Sequence, residues 1–171
     1  MEFTFETQYN AKTMTSMAKA LRKTIRKKHS RRSHIFGWII TAVALILMFS
    51  GGFTLDMRSV ITLAAVLAIV SALLFEDRLN AAIAAKRLLP GTEKAVAVFS
   101  EEGFKTTTEI GSTDWNYEKI QIIAETSDFF VFILNASHAQ LYDKRSLQGG
   151  SAEEFRCFIE KITGKTVQTV K

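Results

Sequence analysis

The sequence predicts an α+β membrane protein: a two-helix transmembrane hairpin inserted into an antiparallel β-barrel or sandwich capped by a C-terminal helix. Three patterns carry this expectation. Two apolar runs, Ile35–Phe49 and Val60–Phe75, contain no charged side chain. Phe3, Phe5, Thr7 and Tyr9 alternate with polar residues, and the same period returns beyond residue 93, as in half-buried strands. Beyond Ser151, Phe155, Phe158, Ile159 and Ile162 share one helical face.

The elements follow in order. Residues 1–9 form a first strand, which cannot stand alone and needs a partner from the β-rich region downstream. Residues 11–89 form the helical hairpin. Met14, Met17, Ala18, Leu21 and Ile25 recur at helical spacing, so a helix from Ala11 to Ser33 is expected to run into the first span. About 20 residues at about 1.5 Å each cross a hydrocarbon core. This places spans at about 35–55 and 57–75. A chain of 171 residues has little protein to surround two helices that are apolar on every face. The second helix is expected to continue through an Ala- and Leu-rich segment to Leu89, where Pro90-Gly91 stops it. With a turn near residue 54, Glu76 and Asp77 face Arg31 and Arg32, and Ile83 faces Ile25.

Residues 93–164 then read as a β domain closed by a helix. Strands are expected at Ala95–Phe99, Phe104–Ile110, around Gln121–Thr126, at Phe129–Leu134 and, as the last strand, at Ala139–Tyr142. Turns are expected at Glu101–Gly103, Gly111-Ser112, Ser127-Asp128 and Asn135–His138. Ser151 and Glu154 have the spacing of a capping box, so a helix covers 151–163, with Gly164 as its C-cap. Residues 165–171 read as a mobile tail.

Charge orients the hairpin. Net charge is +5 overall, but residues 1–34 carry +7 and residues 91–171 carry −3. Lys23, Arg26, Lys27, Lys28, Arg31 and Arg32 precede the first span and form a candidate membrane-surface site. Such residues are retained on the cytoplasmic side, which puts both termini in the cytoplasm. Beside a span, their nearest partners are anionic lipid headgroups rather than nucleic acid.

Reactive chemistry is sparse. The phosphate-binding, dinucleotide-binding, zinc-protease and nucleophile-elbow motifs do not occur. His29 and His34 read as solvated juxtamembrane groups, and His138 as a turn residue. Cys157 is the only cysteine, so no intramolecular disulfide forms. It falls opposite the apolar face of its helix, and no histidine is tied to it as a base. Trp115 and Tyr117 read as core. The spans hold no interior charge of the kind an ion pathway needs. No catalytic, cofactor-binding or metal-binding residue is assigned, no cofactor is expected, and the chain is not expected to be an enzyme.

Four segments carry a resemblance: Phe99-Ser100-Glu101-Glu102-Gly103-Phe104, Trp115-Asn116-Tyr117-Glu118-Lys119-Ile120, Glu125-Thr126 before Phe129-Phe130-Val131-Phe132, and Glu153-Glu154-Phe155. In this order, with a hairpin inserted after the first strand, the chain resembles the YcxB-like family of small bacterial membrane proteins. The resemblance implies a pleckstrin-homology-like (PH-like) cytoplasmic domain and supplies no activity. The resulting expectation is a bacterial inner-membrane protein whose domain binds a protein partner or a membrane-proximal ligand. The alternative is an accessory subunit of a larger membrane complex, such as a transporter, that uses its spans as the interface. The expected partner is an unidentified protein or a second copy of the chain in a homo-oligomer.

Overall fold

The computed structural model describes residues 2–50 and 56–170. Strand β1 (Phe3–Gln8) pairs antiparallel with β2 (Lys94–Phe99), Phe3 opposite Phe99 and Gln8 opposite Lys94. The helical segment therefore leaves and rejoins one sheet between two hydrogen-bonded neighbours. Strands β3 (Phe104–Thr108) and β4 (Gly111–Trp115) complete this first sheet in the order β1-β2-β3-β4. The turn expected at Gly111-Ser112 is displaced: the chain reverses at Glu109-Ile110, and Gly111 already pairs with Thr108.

The second sheet runs β7-β6-β5-β8. It comprises β5 (Ile122–Glu125), β6 (Phe129–Asn135), β7 (His138–Asp143) and β8 (Gln168–Thr169). Strand β8 corrects the reading of residues 165–171 as a mobile tail and of β7 as the last strand. It lies parallel to β5, and Val170 N donates to Glu125 O at 2.7 Å. The Val170 side chain is buried on the outer face of the sheet, and that burial holds the segment down. The described residues form two four-stranded sheets and no closed barrel. The first sheet ends at the exposed β4, and the second ends at the two-residue β8.

Between the sheets lies a core of aromatic rings. Phe3, Phe5, Phe99, Phe104, Phe130, Phe132 and Tyr142 meet Phe155 of α5 (Ala152–Thr163). Ring centroids there lie 4.7–6.4 Å apart, mostly edge to face, the arrangement that aromatic quadrupoles favour. Helix α5 starts as its capping box predicts: Glu154 N donates to Ser151 Oγ, and Ser151 N donates to Glu154 Oε2. It ends at Gly164, whose φ of +66° is the left-handed conformation that glycine adopts without penalty.

Strand β6 is apolar on both faces because both faces are covered. Phe130, Phe132 and Leu134 enter the aromatic core, while Phe129, Val131 and Ile133 pack under helix α1 (Ala11–Lys23). Asn10 caps α1 by accepting from Lys12 N and Thr13 N.

The hairpin comprises α2 (Lys27–Ser50), α3 (Met57–Leu74) and α4 (Glu76–Ala85). The expected uninterrupted helix from Ala11 into the first span is broken at residues 24–26. Thr24 has a non-helical backbone, and Arg26 N reaches back five residues to Leu21 O. The β-branched pair Thr24-Ile25 holds a helix weakly, and the break lets Ile25 pack on the second sheet. A second break at Phe75 separates α3 from α4. Helix α4 also stops earlier than Leu89. Its last turn tightens, with Arg87 N bonded to Ala84 O and Leu88 N to Ala85 O. Pro90 disfavours helical backbone at the residue before it.

Where α2 and α3 pair, Gly37 lies against Leu73: a Cβ at Gly37 would fall 2.9 Å from Leu73 Cδ1 and 3.3 Å from its Cγ. Beyond the α2–α3 pair the register shifts, because α4 packs chiefly on α1. The end of the first span and the turn near residue 54 lie outside the described residues.

Candidate functional site

The surface of the hairpin is its first functional feature. Among the described residues, α2 and α3 are the two helices long and apolar enough to cross a membrane, and only 6% of the apolar window of each is buried. Ile39, Val43, Ile46, Leu47, Ile61 and Leu67 all face outward. A surface of this size and composition is not left to water in a monomeric soluble protein. Two such helices are compatible with membrane association.

A polar clamp sits at the base of the pair. Arg22 Nε and Nη2 donate to Asp77 Oδ1 and Oδ2 at 2.6 and 2.7 Å, a two-pronged bond joining α1 to α4. The Asp77 carboxylate holds the Arg22 guanidinium above its ordinary pKa. Glu76 Oε2 accepts from Ser30 Oγ at 3.0 Å and lies 2.6 Å from His34 Nε2. These bonds replace the expected ones. Arg31 and Arg32 are exposed and do not face Glu76 and Asp77. Ile25 lies against the second sheet while Ile83 is exposed, so those two do not face each other. His34 is not simply solvated. The shifted register follows from the break at residues 24–26.

The six predicted membrane-surface residues are only partly brought together. Lys23, Lys27 and Arg31 line one recess with Arg22, His34 and Val170. Lys28 and Arg32 are exposed and lie outside it. Arg26 is drawn toward the β domain, where its Nε donates to Ala136 O at 2.7 Å. His138 is exposed at the start of β7, its ring 6.0 Å from that of Trp115. Tyr117 is core, as read, and its hydroxyl donates to Ser100 O at 2.6 Å. Trp115 is partly buried beside Phe104, and its indole N–H has no partner among the described residues. Cys157 is exposed.

Two features had no place in the sequence reading. Glu125 is buried yet charged: Lys144 Nζ donates to it at 2.5 Å, and Arg156 Nη2 and Nε donate at 2.7 and 2.8 Å. Burial alone would raise its pKa, but these cations hold it below the ordinary carboxylate range. The available signal was one acid ending an apolar strand. The second is a cavity of about 630 Å³ beneath α1 and α4, at the end of the sandwich away from α5. Its inner wall uses small residues where the other end uses rings. By register, Ala95 and Thr108 share the face that carries Phe5 and Phe99 farther along, and Thr106 lies on it opposite Ala97. The run of threonines in β3 read only as an exposed strand.

The chain between β2 and α5 is also where the family comparison falls. Residues 99–159 match the model of the YcxB-like protein family. All four segments that carry the resemblance lie inside this YcxB-like match, which ends within α5. The hairpin and β1 lie outside it. A comparison with curated proteins finds no match.

Proposed function

We propose that the chain is a non-enzymatic protein of the bacterial inner membrane, held by α2 and α3 with both termini in the cytoplasm. Its two-sheet domain is a PH-like interaction module for a protein partner or a ligand close to the bilayer. The observation that carries this reading is the unburied apolar surface of α2 and α3 next to a cationic recess and a domain clamped to their base. Cations at one end of a span favour the cytoplasmic side. The clamp makes the domain's position relative to the bilayer definite, so whatever it binds is presented there.

Strand β4 supports a protein partner. Among the described residues it pairs only with β3, so the backbone groups of Gly111–Trp115 on its other side can accept an added strand. Purification of the full-length protein from native membranes in mild detergent, followed by intact-complex mass measurement, tests the reading. A partner at fixed stoichiometry that is lost on substitution along β4 supports it. Capture unaffected by β4 changes sinks the edge version.

The second reading, an accessory subunit that uses its spans as the interface, draws on the exposed small residues Ala64, Ala68 and Ala72, which recur every fourth position on α3. Leucine at these three positions releases the partner if the spans bind it and leaves it bound if β4 does.

A further inference from the structure

The cavity under α1 and α4 has a composition that suits one class of ligand. Its walls are mixed: Met14 and Leu21 are buried along α1, Ala95 and Ala139 line the sheets and Leu88 adds an apolar side chain, while Asn80 and Thr108 add polar groups. Among the described polar residues of the lining, Gln140 is the buried one. Gln140 is only 8% exposed, and its Oε1 accepts from Thr106 Oγ1 at 3.2 Å and from the Tyr142 hydroxyl at 2.5 Å. With the oxygen doubly engaged, the amide nitrogen is the group left over, and it has no hydrogen-bond partner among the described residues. The nitrogen is not sealed from solvent, and a ligand oxygen in the cavity can accept from it. At the rim stand two guanidinium groups, Arg26 and Arg87.

We infer that this cavity binds a single-chain anionic amphiphile, such as a fatty acid, with the chain along the methionine and alanine walls and the anionic head at the rim arginines. The volume lies in the range of about 300–1,000 Å³ typical of small-ligand sites. Charge complementarity selects an anion. The position selects one chain rather than two. Arg26 precedes α2, whose apolar stretch starts at Ile35, so the rim stands roughly 13 Å along the helix from the hydrocarbon. A ligand must therefore leave the bilayer to enter. A single acyl chain is held there only marginally and exchanges freely, whereas a two-chain lipid does not.

This inference rests on the membrane reading above, and the test separates the two. The full-length protein is photolabelled in native membranes with a diazirine-bearing fatty acid, and the labelled peptides are mapped. Labelling is expected at two places: the outward faces of α2 and α3, from the bilayer, and the cavity segments around Met14–Leu21 and Ile83–Leu89. Unlabelled fatty acid should compete for the second set. Arg26→Gln with Arg87→Gln should cut cavity labelling about tenfold, since it removes charge-assisted bonds to the head. Ala139→Phe, which fills the cavity, and Ile83→Trp, placed on an exposed helix position so that folding is spared, should both abolish cavity labelling and leave span labelling unchanged. Span labelling without competable cavity labelling overturns the inference and leaves the membrane reading standing. Absence of label from the spans as well overturns both. Cavity labelling that survives the arginine changes, or that gives way to crosslinks with a second copy or another protein, also refutes the proposed ligand.

Discussion

Replacing Asp77 by Asn tests how the domain is fastened to the hairpin. The bond from Arg22 is two-pronged, at 2.6 and 2.7 Å, and both side chains are partly buried, at 27% and 18% exposure. A hydrogen bond to a charged group contributes roughly 1.5–3 kcal/mol when well shielded. With about a quarter of the Arg22 side chain in solvent, solvent screening reduces this to about 1–2 kcal/mol for the pair. In a chain of this size about 1 kcal/mol shifts Tm by roughly 2–4 °C, so Asp77→Asn and Arg22→Gln should each lower it by about 2–8 °C. The decisive quantity is the coupling. The double variant Arg22→Gln with Asp77→Asn should melt close to either single one, because the second change removes little beyond the longer 3.8 Å approach of Arg22 to Glu76. Tryptophan fluorescence melts of the detergent-solubilised full-length protein measure this. If the two losses add to within about 0.3–0.5 kcal/mol, Arg22 and Asp77 do not interact and the clamp is refuted.

Three further outcomes follow from local geometry. Glu125→Gln should destabilise the protein at neutral pH by about 2–3 kcal/mol, below the full cost of breaking a buried pair because Arg156 can turn to solvent. Since folding lowers the Glu125 pKa, its contribution is present above the unfolded carboxylate value and lost as pH falls through the folded one. The gap between native and variant melting temperatures should therefore close in acid; a gap that widens there contradicts the assignment. Cysteines at positions 37 and 73, where a Cβ at 37 would stand 3.3 Å from Leu73 Cγ, should crosslink on oxidation, whereas cysteines at 25 and 83 should not. Gly149→Ala should cost about 1–3 kcal/mol or more, read as a lowered Tm, because φ is +94° and the new Cβ would stand 2.2 Å from Glu2 O.

Much of this architecture is legible in the chain, because periodicity reports burial. The alternation at Phe3, Phe5 and Thr7 identifies a strand that pairs with β2, and the Ser151–Glu154 spacing identifies the start of α5. Strand β6 reads as the most apolar because it is buried on both faces, and the structure supplies the second cover, α1. The misses share a cause: they depend on contacts between distant segments. The breaks at Thr24 and Phe75 carry no glycine or proline, and the weak helix preference of Thr24-Ile25 is too small a signal to place the first, yet they move Asp77 from Arg31 and Arg32 to Arg22. Strand β8 is two residues long and is held by Val170 packing on the second sheet, which composition alone does not reveal. The cavity is invisible for a similar reason. Ala95, Thr106 and Gln140 are unremarkable residues until strand register puts them on one inner face.

The central claim is that α2 and α3 cross a membrane with both termini on its cytoplasmic side. It is tested by cysteine labelling in intact cells with a membrane-impermeant maleimide. One variant keeps the exposed native Cys157 as its only thiol. The other carries Cys157→Ser and Arg58→Cys, which places the thiol at the exposed start of α3. The account predicts that position 58 labels in intact cells and that Cys157 labels only after the membrane is opened. Labelling of Cys157 in intact cells, or protection of position 58 until lysis, would contradict it.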